Sequence, residues 1–81
     1  MWHLKTKMGT FWILPLHDSK HAYVLGVNDD ELAFYTDIEK AAKDVREQAT
    51  GFLRWDTERV VKAPEHISEW ANGEPQEWRK I

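Results

Sequence analysis

Cysteine is absent from the 81-residue chain, which excludes a disulfide framework and thiolate metal chemistry as supports for so small a fold and removes any argument for secretion. Long apolar runs are missing too. The longest stretch, Phe11 to Leu16, falls far short of the roughly 20 residues that cross a bilayer, and the opening residues lack a signal-peptide layout. A cytoplasmic location is the resulting expectation. Excess positive charge is also lacking. The net charge of −3 disfavours a sequence-independent nucleic-acid binder, which needs a cationic footprint to displace counterions from phosphates. Neither repeats nor low-complexity segments occur.

Aromatic residues are what the chain has in quantity: five Trp, three Phe and two Tyr. They bury the largest area per residue, and packing is the main source of stability left to the chain, about 4–12 kcal/mol on the usual per-residue range. A chain of this length hides about 60–65% of its unfolded surface, so one core is expected within one domain spanning 1–81. Five indoles exceed what that core needs. Charge is uneven: residues 1–28 carry Lys5, Lys7 and Lys20 against Asp18, and the remainder is acidic.

Trp2–Thr6 alternates Trp2, Leu4 and Thr6 with His3 and Lys5, the period of a half-buried strand. Lys7-Met8-Gly9 reads as a turn. Residues 10–16 are β-rich and apolar on both faces, as in a central strand, and Pro15 marks where ladder pairing must stop. A polar connection, 17–20, leads to a β-rich run over 21–27. Asn28-Asp29-Asp30 is the next turn, and Glu31–Tyr35 follows as a strand with Leu32 and Phe34 on one face.

The spacing then predicts a helix between Thr36 and Gly51. Thr36 and Glu39 match the S/T-x-x-E capping box, and Ile38, Ala41, Ala42, Val45 and Ala49 form one apolar stripe. Glu39 and Lys43 make a favourable i,i+4 pair, and Gly51 supplies a left-handed stop. Residues 52–62 fit either a hairpin or an irregular strand. Pro64 suits a first helical position, so a short second helix is expected at about 64–72, followed by 74–81 as a candidate flexible tail. The fold class is therefore α+β: a three- or four-stranded antiparallel β-meander packed on one main amphipathic helix, about 37–50, with the short helix near the C-terminus.

Motifs that carry chemistry are scarce. His17 and His21 flank Asp18, but a loop lets them diverge, no third ligand is suggested, and solvated turn residues are the preferred reading. Asp29, Asp30 and Glu31 lack the twelve-residue oxygen-ligand loop of a calcium site. Ser19 and Ser68 sit in no nucleophile elbow, and no glycine-rich phosphate loop occurs. No metal, no cofactor and no enzymatic activity are expected. An enzyme built from scattered residues such as His21, Asp29 and Glu31 is the weakest alternative.

The stretch Leu32-Ala33-Phe34-Tyr35-Thr36-Asp37-Ile38-Glu39-Lys40-Ala41-Ala42 resembles the plant ethylene-response DNA-binding domain, a three-stranded sheet packed on one helix. The likeness covers about half the chain and implies that topology. That family reads DNA with several Arg and Trp on its strands, whereas residues 10–27 here offer Trp12 and Lys20 and no Arg. The Gly9-Thr10-Phe11-Trp12 opening and the string from Thr50-Gly51 to Trp55-Asp56 are also similar to short bacterial proteins of unknown function, a likeness that implies no activity.

The functional expectation is a small binding or regulatory module that meets a protein partner, or a second copy of itself, through an aromatic sheet face. Trp12, Tyr23, Tyr35, Arg54, Trp55 and Trp78 are the candidate contact residues, since Trp, Tyr and Arg are enriched at binding hot spots. For Trp55 the competing reading, a core residue folded beneath the helix end, is preferred. The alternative is a sheet-based nucleic-acid binder using Lys5, Lys7, Lys20 and Trp12.

Overall fold

The computed structural model describes residues 1–17 and 22–75. Four strands run antiparallel in chain order: β1 (Trp2–Thr6), β2 (Gly9–Pro15), β3 (Tyr23–Val27) and β4 (Asp30–Tyr35). A two-residue strand, β5 (Ala71–Asn72), pairs with Trp2 and His3 of β1, giving the sheet order β4-β3-β2-β1-β5. The chain is thus α+β with five strands, where the sequence suggests three or four. A strand of two residues has no period to read, and only the pairing with β1 defines it.

Local chemistry explains the hairpins. The Thr6 hydroxyl accepts from the Met8 and Gly9 amides and donates to the Gly9 carbonyl, closing the β1–β2 turn. Asn28 takes a left-handed φ of 53° between β3 and β4, a conformation that Asn tolerates better than most residues. Its side chain accepts from the Thr10 amide, and its own amide donates to the Thr10 carbonyl. At the far end β2 stops at Pro15, as expected, with one further bond from the Leu16 amide to the Ala22 carbonyl.

The main helix, α1 (Ile38–Arg46), is shorter than its sequence signals suggest. Asp37, not Thr36, is the N-cap, its carboxylate accepting from the Glu39 amide at 3.0 Å. Asp caps at least as well as Thr, and the anticipated capping box gives way. Glu39 instead accepts from the Ile67 amide, 3.2 Å away, tying the helix start to a later segment. The helical ion pair runs from Lys40 to Asp44 at 2.7 Å.

At the other end the left-handed residue is Gln48, with φ 59°, rather than Gly51. The Gln48 amide group donates to the carbonyls of Trp55 and Glu58, and these long-range bonds hold the unfavourable backbone angle in place. Ala49 consequently leaves the buried stripe and is exposed. Gly51, also left-handed at φ 88°, belongs to the next turn.

Residues 53–56 form a single helical turn, α2 (Leu53–Asp56), instead of a hairpin or strand. The Asp56 carboxylate accepts from the amides of Thr50 and Gly51 and from the Thr50 hydroxyl, so it closes the Thr50–Asp56 loop on itself. The second helix expected at 64–72 contracts to a 3₁₀ turn, Ile67–Glu69. Burial of Trp70 and pairing of β5 with β1 pull the following residues into extended conformation. Of the candidate tail, Glu74 and Pro75 are described, and Pro75 is buried.

One face of the sheet meets the helices. Phe11, Ile13, Leu25 and Val27 pack there against Ala41, Ala42, Val45 and Trp55, all essentially inaccessible. Phe11 contacts Phe52 and Trp55 edge-on, with centroids 6.2 and 5.3 Å away. Small residues on α1 let the helix lie close to the strands while the aromatic rings fill the remaining space.

Candidate interaction surface

Strand register fixes which residues share the face away from α1. Successive side chains alternate, and directly opposed residues lie on the same side. His3, Trp12, Gly26 and Glu31 therefore form one row, and Leu14, Val24 and Phe34 form another. A β-bulge interrupts the alternation in β4. Leu25 faces Ala33 while Gly26 faces Glu31, so Leu32 is the additional residue. As a result Leu32 packs with the core and Phe34 points to the opposite face. Sequence alternation alone puts both on one side, and the bulge separates them.

Within this outer face the apolar groups differ sharply in access. The Trp12 indole lies across Gly26, occupying the space that a Cβ would take. Its Nε1 donates to the Asn28 carbonyl at 2.7 Å, which fixes the ring flat on the sheet. A glycine in a strand marking a bulge and a close approach is a recurrent pairing. Trp12 is 7% exposed and Val24 2%, whereas Phe34 is 52% exposed on the edge strand β4. Among the described residues Phe34 is the most exposed aromatic group of this face. Gly26 inside an otherwise β-rich run is the sequence signal that points to it.

The six candidate contact residues do not converge on this face. Trp55 is a core residue at 0% exposure, its Nε1 donating to the Val45 carbonyl at 2.8 Å, so it presents nothing to a partner. Arg54 is exposed on α2 beside it. Tyr23 and Tyr35 lie opposite Pro15 and each other on the helix side of the sheet, partly buried. Tyr23 meets Trp2 edge-on at 6.1 Å. Tyr35 donates to Asp44 Oδ2 at 2.7 Å, and Lys40 donates to the other Asp44 oxygen. Burial, followed by the hydrogen bond to the Asp44 carboxylate and its charge, holds the Tyr35 phenol above its ordinary range. The same carboxylate raises Lys40, first through the hydrogen bond and then through charge. Trp78 and Lys20 lie outside the described residues.

Other chemistry is sparse. His17 is exposed, and its proposed companion His21 lies outside the described residues. Among the described residues no group of three or more His, Asp or Glu side chains is placed to hold a metal ion, and no helix is long and apolar enough to cross a membrane. Glu58 is held below the ordinary carboxylate range by the amides of Val60 and then Arg59, a local turn contact. Comparison with protein-family models, with curated proteins and with solved structures returns no match.

Proposed function

We propose that this chain is a small binding module that engages a protein partner, or a second copy of itself, through the sheet face opposite α1. The observation that supports the reading is the half-exposed Phe34 ring on edge strand β4, next to the apolar Leu14–Val24 row. Aromatic groups dominate the energetics of interface centres, and among the described residues β4 is the last strand on its side of the sheet. Among the described residues the contact centre thus shifts from the largest rings to Phe34, which keeps about half of its surface exposed on that face. Nucleic acid is less favoured: among the described residues the outer face of the strands offers one lysine, Lys5, against Glu31.

Light scattering after size exclusion tests the proposal, run over a range of concentrations and with the partner co-purified from cells that make the protein. The wild type should travel as a complex or dimer, and Phe34→Lys should travel alone while still unfolding cooperatively. A wild type that stays monomeric and partnerless, or a complex indifferent to Phe34→Lys, refutes it.

A further inference from the structure

A cleft of about 700 Å³ lies between α1 and the segment that leads into the 3₁₀ turn, a size within the range that holds small-molecule ligands. Among the described residues none of those lining it is on a strand, so it is separate from the outer sheet face. One wall is a stripe of α1, in which Glu39, Lys43 and Arg46 share a side of the helix and Glu47 follows at its end. Lys62, Glu65 and His66 form the other wall. That second wall is held in place from both sides. Ala63 within it and Trp70 beyond it are buried, and the Ile67 amide donates to Glu39 across the cleft's end at 3.2 Å.

Cations and carboxylates line the cleft in equal number, so hydrogen-bonding capacity, not net charge, selects what it holds. The Arg46 side chain is only 31% exposed, yet its guanidinium makes no hydrogen bond among the described residues. Its ionic contact, Nη2 to Glu65 Oε1 at 3.9 Å, lies beyond hydrogen-bonding distance. Lys43 and Lys62 have no ion pair among the described residues. A guanidinium presents five donors in a planar fork that matches two oxygens of one anion, and mostly desolvated donors gain most from such a partner. We propose that the cleft binds a small organic oxyanion, a carboxylate or a phosphate monoester, with Arg46 as its anchor and Lys43 and Lys62 as flanking charges. The anion takes the place that Glu65 approaches only loosely, so Glu65 competes with the ligand. The aliphatic stems of the three cationic side chains give the ligand's body an apolar surface.

The probes are phenyl phosphate, benzoate and, as an uncharged control, benzamide, titrated into the full chain with amide chemical shifts and calorimetry as readouts. At least one of the two anions should bind saturably, weaken with added salt and perturb the amides of residues 43–48 and 62–66, whereas benzamide should not. The tighter of the two anions identifies the headgroup. Arg46→Gln should weaken binding at least about tenfold. Glu65→Gln, which removes the competing carboxylate, should strengthen it about threefold, an opposite sign that a merely structural role for the Arg46 and Glu65 pair does not produce. Lys62→Gln, on the other wall, should weaken binding and decides the matter if Arg46→Gln does not fold. No saturable binding by either anion, equal binding of benzamide, weakening by Glu65→Gln, or perturbations centred away from the cleft overturns the proposal, and the sheet-face reading is then untouched.

Discussion

Single side chains decide which aromatic groups are structural. Trp12 on β2 and Trp55 on α2 carry the same side chain. Their indole N–H groups nevertheless find different carbonyls, those of Val45 and Asn28, and both rings are immobilised. A buried N–H must be paired or cost about 1–3 kcal/mol. These two bonds therefore explain why neither indole N–H is left unpaired, Trp55 in the core and Trp12 flat on the outer sheet face.

Tyr35 gives a pH prediction at the same scale. Its phenol is raised above the ordinary tyrosine value by burial and by Asp44, so the folded chain holds that proton more tightly than the unfolded chain does. The contribution to stability is complete below the unfolded value of about 10 and is lost as pH rises toward the folded value. Chemical denaturation of wild type and Tyr35→Phe should show the wild-type advantage shrinking as pH climbs above about 10. An advantage that grows with pH, or stays flat, contradicts the Tyr35–Asp44 contact.

At the scale of elements, α1 separates what its sequence makes legible from what it leaves hidden. The apolar stripe Ala41, Ala42 and Val45 is read directly from helical spacing and is buried as expected. The ends are another matter. Two adjacent residues, Thr36 and Asp37, are both good caps, and the choice depends on the backbone at Asp37, at φ −128° and ψ 122°. Glu39 and Gln48 look like surface residues in sequence, yet their bonds to Ile67, Trp55 and Glu58 stitch α1 to the later segments. No local pattern announces a partner 28 positions away.

The cap assignment is testable. Asp37→Ala should destabilise the fold by about 1 kcal/mol, and Thr36→Ala should change it by less than about 0.5 kcal/mol, both by equilibrium urea denaturation. The reverse order would restore the capping box of Thr36 and Glu39. The same limit on local reading applies to residues 64–72. Pro64, Ile67 and Trp70 suit a helix, but the gain from burying Trp70 and pairing β5 prevails over helical spacing.

For the whole molecule, the four consecutive hairpin strands and the helix behind them are legible because each carries a local signal, alternation or a β-rich run between turns for the strands and helical spacing for α1. The fifth strand, the bulge and the division of the sheet into a packed face and an outer face arise only from tertiary pairing. That division locates the proposed function. Residue type singles out the candidate contact residues in the sequence, but accessibility is a property of the assembled sheet. Tyr23 and Tyr35 fall on the helix side, Trp55 in the core, and Phe34 emerges on the outside because of one inserted residue at Leu32. Leu53 and Val60, at 73% and 86% exposure, are isolated on α2 and the loop after it, and scattered apolar groups of this kind need no partner.

Photo-crosslinking from the outer sheet face tests the claim most directly, with benzoylphenylalanine placed at Phe34 and, separately, at Leu53 and Val60 in cells that make the protein. Position 34 should give a discrete covalent adduct, to a partner or to a second copy, while positions 53 and 60 give none. Adducts at 53 or 60 with none at 34 would contradict the assignment of the binding surface to this face.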